Sequence, residues 1–420
     1  MDKCTINGIA KTVGSGITPL RSNPVFWENP KYPWLKTEQL GDFQVFDTSE
    51  YISQAALDET NIKLWPPNTL SIAMYGEGRT RGNVSIIMRE MATNQACCNI
   101  IVDEDVADFR YIYYWLKSNY NQLRTLSSGV RKNLNSDDIK GFPVLLPGLP
   151  PKQKEIVDGL YAIDLKLKNN NQIISELESM AKTIYDYWFV QFDFPNSEGK
   201  PYRTTGGKMV WNEQLKREIP KGWEIRSLDT FVKVIRGVTY GKDDVTDVPK
   251  DGYTTLLRAN NISNGTINYD SLVYVKNNCI SESQLFNALS IFIAMSSGSK
   301  EHVGKTAIVP CSLNVSFGAF CSKIDICEKA FAWLAIYFRT KYFKSYIRNI
   351  CLGTNINNLN NDHIYSIQLP VPPQSILDSY NSLILPLISK QGISHVENQE
   401  LTNLRDWLLP MLMNGQVMVK

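Results

Sequence analysis

One pattern is written twice in this chain, about 222 residues apart. Gly16-Ile17-Thr18 returns as Gly237-Val238-Thr239, and Ile72-Ala73-Met74 returns as Ile293-Ala294-Met295. Asn133-Leu134-Asn135 with Asp137 and Ile139 returns as Asn358-Leu359-Asn360 with Asp362 and Ile364. Leu146-Pro147 and Pro150-Pro151 return as Leu369-Pro370 and Pro372-Pro373. The order is kept, and the offset drifts only from 221 (Gly16 to Gly237) to 225 (Asn133 to Asn358). A period this long exceeds that of solenoid repeats. It predicts two similar domains in one chain, a pseudo-twofold object able to touch a partner at two places.

Bulk composition agrees with a folded, divided chain. At 420 residues the sequence exceeds what one core usually holds. Its 43% hydrophobic and 20% charged content is that of a globular protein. A net charge of only +2 is weak for a self-sufficient nucleic-acid binder, so positive charge for such a role is local or supplied by a partner. The eight cysteines form no Cys-x-x-Cys pair and there are three histidines, so spacing gives no zinc site. No run approaches the roughly 20 apolar residues that span a bilayer. A soluble cytoplasmic protein with reduced thiols is expected.

Along the chain, residues 1–150 alternate short β-branched and aromatic runs with Gly, Asn and Pro breaks, the pattern of short strands and loops. One helix is expected over 109–125, with a counterpart over 330–351. Each half therefore predicts a mixed α/β (α+β) globule. From 151 to 193 the pattern changes: Ile156, Leu160, Ile163, Leu167, Asn170, Ile174 and Leu177 alternate steps of four and three. That is the heptad seam of a coiled-coil helix, about 60 Å long at roughly 1.5 Å per residue. Asn170 on the seam is placed to fix register. A second seam lies over 373–416, with Leu401, Leu404 and Leu408, and Pro386 and Gly392 are expected to kink it. The simplest assembly is two globular domains, 1–150 and 219–372, joined by two long antiparallel helices. Residues 194–218, polar and glycine-bearing, read as a linker.

Catalytic signatures fail on inspection. Gly298–Thr306 reads GSKEHVGKT, but a phosphate loop needs four residues between its glycines and here there are five. The next residues, Ala307-Ile308-Val309-Pro310, are strand-like and cannot open the helix that binds the anion. Asn29-Pro30-Lys31-Tyr32 lacks the second proline of an amino-methyltransferase loop and any glycine-rich turn for a methyl donor before it. Nothing places His302, His363 or His395 beside a nucleophile. The chain reads as non-catalytic, with no metal and no cofactor of its own.

Ile219-Pro220-Lys221-Gly222-Trp223-Glu224, then Leu228 and Gly237-Val238-Thr239, resembles the opening of a target recognition domain in the specificity subunits of type I restriction–modification systems. The Asn-Leu-Asn-x-Asp-x-Ile, Leu-Pro and Pro-Pro block leading into a heptad helix, present twice, is similar to those subunits' conserved regions. The resemblance covers essentially the whole chain. One departure is that the first half begins too close to Met1 to hold the Pro-x-Gly-Trp motif, which predicts a shortened or altered opening strand.

The resemblance implies sequence-specific binding of double-stranded DNA. Each domain would read one half of a bipartite target while the helices set the spacing. It also implies docking of two modification subunits carrying S-adenosylmethionine and, through the complex, restriction subunits using ATP and Mg. Base edges are read by Arg, Lys, Asn and Gln on loops. The candidates are therefore Arg79, Arg81, Arg131 and Lys132 in the first domain, and Lys300, His302, Lys305, Thr354 and Asn355 in the second. Gly16, Thr18, Gly237 and Thr239 are expected to shape a DNA-side loop. The residues alone leave two alternatives open: a self-contained methyltransferase or nuclease with diverged motifs, and a non-DNA scaffold.

Overall fold

The computed structural model describes residues 2–76, 80–126, 133–297, 302–309, 312–353 and 358–417, the side chains of 351–353 excepted. The chain divides into two compact units, Met1–Asn170 with Glu397–Lys420, and Asn171–Val396. Each is a sheet packed on helices together with its own stretch of two long helices.

The duplicated sequence is a duplicated topology. In the first unit, strand Asp2–Thr5 pairs antiparallel with Pro143–Leu146; in the second, Glu224–Ser227 pairs antiparallel with Gln368–Val371. The opening strand of the first unit is thus neither lost nor shortened, contrary to the expectation from its missing Pro-x-Gly-Trp motif. Pairing along all four residues holds it without that anchor. The main sheet of the first unit runs, in spatial order, Ala10–Ser15, Cys97–Val102, Leu70–Ala73, Val84–Ile87 and Gln44–Val45. That of the second runs Val232–Arg236, Cys321–Ile326, Ser290–Ala294 and Thr306–Val309. The first four strands correspond one to one; Gln44–Val45 is an addition, parallel to Val84–Ile87.

Strand periodicity explains why these segments bury both faces. Side chains alternate across a strand, so Leu70 and Ile72 join the cluster that holds helix residues Tyr111–Leu116, while Ala73 joins Leu35, Trp65, Ile87 and Met91 on the other side. The helix expected over 109–125 is two, Phe109–Ser118 and Tyr120–Thr125, broken at Asn119. Its counterpart is likewise divided, into Phe331–Tyr337 and Lys341–Gly353; the Thr340 hydroxyl accepts from Phe343 N–H to start the second piece. The Asn-Leu-Asn block is structural. Leu134 and Leu359 are buried, and Asn135 and Asn360 cap the short helices Ser136–Lys140 and Asn361–Tyr365, whose Ile139 and Ile364 are fully buried. A capping asparagine satisfies a backbone N–H the helix cannot.

The long helices span Pro150–Tyr185, continued by a π-helical turn Asp186–Val190, and Gln374–Met413. The second is one helix through Pro386 and Gly392, not the interrupted one expected; Ser382 and Pro386 both lie on its exposed side, where water can take the carbonyl that proline leaves unpaired. Within the first unit the helices are antiparallel: Val157 and Leu160 share a cluster with Leu412 and Met413, Asp164 meets Arg405, and Asn170 meets Glu397 and Asn398. Within the second, Trp188 and Phe189 meet Tyr380, with Ala181, Ile384 and Ile388 in the same cluster.

The heptad pattern departs from expectation on both helices. Leu160, Leu167, Asn170 and Ile174 are buried, but Ile156, Ile163 and Leu177 are only partly so, and the seam passes through Gln153, Val157 and Asp164 instead. On the second helix Leu401 and Leu408 are partly buried and Leu404 is 44% exposed, because Arg405 turns inward to Asp164. Asn170 does form a polar layer, its Nδ2 donating to Glu397 Oε2 at 2.8 Å and Asn398 Oδ1 at 2.9 Å.

The segment 194–218 is no open linker. It carries a hairpin, Met209–Asn212 with Arg217–Pro220, and Phe194 stacks between Tyr202 and Trp223. Its polar composition hides the few aromatics that fasten it.

The second unit also buries polar groups of the helix pair. Gln391 and Ser394 are buried, and burial lowers the pKa of His395 below its ordinary 6.5, with Glu178 opposing and Arg339 reinforcing the shift. Since the folded-state value is depressed, the unfolded chain takes up the proton first as pH falls. The stability this neutral histidine preserves is whole above pH 6.5 and is lost as pH drops through the folded-state value. Unfolding midpoints at pH 7.5 and below 6 are expected to differ less in His395→Leu than in the parent; equal differences would contradict the assignment.

Candidate nucleic-acid interface

In each unit the described residues that flank two connections lie at one end of the main sheet. The first joins the strands Leu70–Ala73 and Val84–Ile87, and its counterpart joins Ser290–Ala294 and Thr306–Val309. Both hairpins close with the same bonds: Gly82 N–H to Ala73 O at 2.9 Å and Ala73 N–H to Asn83 O at 2.9 Å in one, Gly304 N–H to Ala294 O at 2.8 Å and Ala294 N–H to Lys305 O at 3.0 Å in the other. Gly82 and Gly304 adopt positive φ, 86° and 77°, and both lie against the second helix of their unit. A Cβ at Gly82 would stand 3.0 Å from the Arg124 side chain, and one at Gly304 2.7 Å from Ile347. Glycine is required there for both reasons.

The second connection precedes the Asn-Leu-Asn block, whose described residues begin at Asn133 and Asn358. That block is tied to the start of the first connection, because Leu134 N–H donates to Met74 O at 3.1 Å and Leu359 N–H to Met295 O at 2.7 Å. Gly16 and Gly237 end the first strand of each sheet beside this point. They are not turn glycines of positive φ but points of close approach: a Cβ would fall 2.0 Å from Thr93 O at Gly16 and 2.1 Å from Gly318 O at Gly237. The Thr18 hydroxyl donates to Gln95 Oε1, and Thr239 is exposed.

The hydrogen bonds also fix which residues correspond, and here the basic pattern changes. Asn83 N–H bonds Thr80 O as Lys305 N–H bonds His302 O, so Thr80 matches His302, Arg81 matches buried Val303, and Asn83 matches Lys305. The two hairpins share a backbone, and their basic side chains stand at unlike positions. Arg81 is half-buried, His302 is exposed, and Lys305 Nζ lies 2.6 Å from His302 Nδ1. Arg79, Arg131, Lys132, Lys300, Thr354 and Asn355 lie outside the described residues. Sequence reasoning missed the exposed Tyr75, Gln95 and Phe320 at the same sheet ends; isolated turn residues leave no periodic signal.

The nearby thiols are poor nucleophiles. Burial pushes Cys97, Cys98 and Cys321 up to about 12, and the reactive form of a thiol is the thiolate. What each unit offers is a rigid sheet end carrying loops of unlike side chains, which is the design of a recognition module.

Two copies of such a module in one chain define a duplicated recognition protein. The type I restriction modification DNA specificity domain matches residues 1–179 and 220–397. The chain is 34% identical to the type I restriction enzyme EcoKI specificity subunit of Escherichia coli K12 over 208 residues, 48% of this chain and 45% of that protein. It thus aligns with less than half the length of that relative. It is 25% identical to the MjaIX specificity subunit of Methanocaldococcus jannaschii across 97% of this chain and 91% of that one. In fold it is similar to the type I restriction–modification S subunit from M. genitalium, with a TM-score of 0.63 and 16% identity, covering 98% of this chain and 95% of that chain. The chain belongs to the family of type I restriction modification DNA specificity domains and carries two of them. No described helix is long and apolar enough to cross a membrane.

Proposed function

We propose that this chain is the sequence reader of a cytoplasmic type I restriction–modification complex, each unit reading one half of a bipartite duplex target through its sheet-end loops. The observation that supports this most is the shared hairpin backbone bearing unlike side chains, Arg81 in one copy, His302 and Lys305 in the other. One scaffold with two displays is what two different half-sites require. The reading domains are residues 1–150 and 219–372. Catalysis belongs to two modification subunits, which bring S-adenosylmethionine, and the ATP- and Mg-dependent steps to restriction subunits. The docking of modification subunits on the helices is supported by exposed apolar residues on each unit's own stretch: Leu404 and Trp407 in the first, and Ile173, Met180 and Tyr187 at seven-residue intervals in the second. Such a stripe on a helix face is a packing surface.

Binding to duplex DNA is measured for the assembled complex with Arg81→Ala and, separately, Lys305→Ala. Loss of a bidentate base contact weakens specific binding by about 1–3 kcal/mol, and affinity overall should fall steeply with salt through counterion release. Unchanged affinity and unchanged sequence preference in both variants would remove these residues from the interface.

A further inference from the structure

Beside the basic hairpins, each unit holds a second element at the same sheet end, a four-residue turn just ahead of the strands Cys97–Val102 and Cys321–Ile326. In the first unit it is Asn94-Gln95-Ala96-Cys97, closed by Cys97 N–H to Asn94 O at 3.1 Å. In the second it is Gly318-Ala319-Phe320-Cys321, closed by Cys321 N–H to Gly318 O at 2.8 Å. Both turns are pinned from two sides by matching bonds. Gly16 N–H reaches Cys97 O and Gly237 N–H reaches Cys321 O, while Met74 N–H reaches Ala96 O at 2.8 Å and Met295 N–H reaches Phe320 O at 2.9 Å.

The backbones are therefore equivalent, and the displayed side chains are not: Gln95 stands at the second residue of its turn, matching Ala319, and Phe320 at the third residue, matching buried Ala96. The first turn exposes Gln95, whose Oε1 is taken by the Thr18 hydroxyl. That bond leaves the Nε2 hydrogens as the donors this exposed side chain can offer a ligand. The second exposes Phe320 at 72%, more than any other aromatic side chain among the described residues. An apolar ring held this far into water on a backbone pinned from two sides buries little surface in its own fold; removing it from water would be favourable.

We infer that this turn is a second reading element in both units, read from its second residue in the first unit and its third in the second, resting on the proposed DNA-reading role. Gln95 donates to an acceptor on a base edge in the major groove, and Phe320 packs on the 5-methyl group of a thymine. These are the two ways, polar and apolar, in which side chains distinguish bases there. Gly16 and Gly237 then acquire a purpose. With no Cβ they let the first strand approach within contact of the turn and set its height.

The test uses the full modification complex and duplexes in which each position of the target is changed singly. Gln95→Ala is expected to flatten discrimination at one position of one half-site, and Phe320→Ala at one position of the other, each on the order of tenfold. For the parent, deoxyuridine in place of the thymine at the second position should reproduce the loss seen with Phe320→Ala, and for that variant the exchange should have no effect. Both side chains are exposed, so thermal unfolding should be unchanged and serves as the control. Discrimination identical to the parent at every position, or a uniform loss across all sequences or on thymine and deoxyuridine alike, overturns the inference. A parent complex without any sequence preference would instead refute the reading role on which it rests.

Discussion

Trp223→Ala is expected to destabilise the second unit by about 3–5 kcal/mol, the usual cost of emptying a buried aromatic site. Trp223 is 7% exposed and sits where several chain segments meet. Its ring stacks on Phe194 with centroids 5.3 Å apart, lies edge-on to Phe192 at 5.3 Å, and reaches Phe189 at 6.2 Å. Those partners come from the end of the first long helix and from the segment after it, so one side chain joins helix, connecting segment and sheet. Aromatic pairs contribute roughly 0.5–1.5 kcal/mol each beyond their area, and no small neighbour can collapse into a space of indole size. Amide hydrogen exchange resolved to the second unit is the appropriate readout, since a two-unit chain need not unfold in one step. Exchange unchanged in Met209–Ser227 while DNA binding falls would contradict this, and would make the Pro-x-Gly-Trp motif a contact instead of an anchor.

Asp164→Ala is expected to cost the first unit a similar amount, about 3–5 kcal/mol, for an electrostatic reason. Asp164 is 5% exposed on the helix seam. Its Oδ1 accepts from Arg405 Nη1 at 3.0 Å, and its Oδ2 accepts from the Tyr114 hydroxyl at 2.6 Å. Burial, and then the neighbouring Asp164 carboxylate, raise the Tyr114 pKa far above its ordinary value, so the phenol stays a donor. Removing the carboxylate leaves the buried Tyr114 hydroxyl without its acceptor and the inner edge of the Arg405 guanidinium unmatched, with only the more exposed Asp406 still paired to it. The double variant Asp164→Leu with Arg405→Leu should recover much of the loss, because an apolar pair leaves no charge unmatched. A double variant no more stable than Asp164→Ala would show that packing, not charge, dominates at this layer.

Asp164 also shows where the sequence can be read and where it cannot. A heptad seam is recognised by its apolar residues, which favours Ile156 and Ile163. The true seam is shifted by one residue at two places, to Val157 and Asp164, because a paired charge occupies a core position. The same pairing swings Leu404 outward. Repetition is a better guide: the capping asparagines and the close-approach glycines lie at topologically matched places, although Leu146-Pro147 and Leu369-Pro370 do not, since Leu146 pairs with Asp2 at the end of its strand and Leu369 with Arg226 inside its own. Composition misleads over the connecting segment 194–218, since a few aromatics outweigh its polar residues once they find Trp223 and its neighbours.

The interface is legible only in part. Loops between strands announce themselves through glycine, and the hairpins at Gly82 and Gly304 are located that way. Which side chains correspond is not, since Arg81 matches Val303 and only the strand pairing says so. Gln95 and Phe320 carry no sequence signal, as a solvent-exposed turn obeys no period; exposure and bonding single them out.

The most direct test of the proposed two readers in one chain is a genome-wide map of methylated adenines in otherwise identical cells with and without this gene, expressed together with the proposed modification subunits. The proposed function predicts one motif that appears only with the gene, made of two different half-sites separated by a stretch of fixed length and free sequence. No gene-dependent motif, or a single contiguous one, would contradict it.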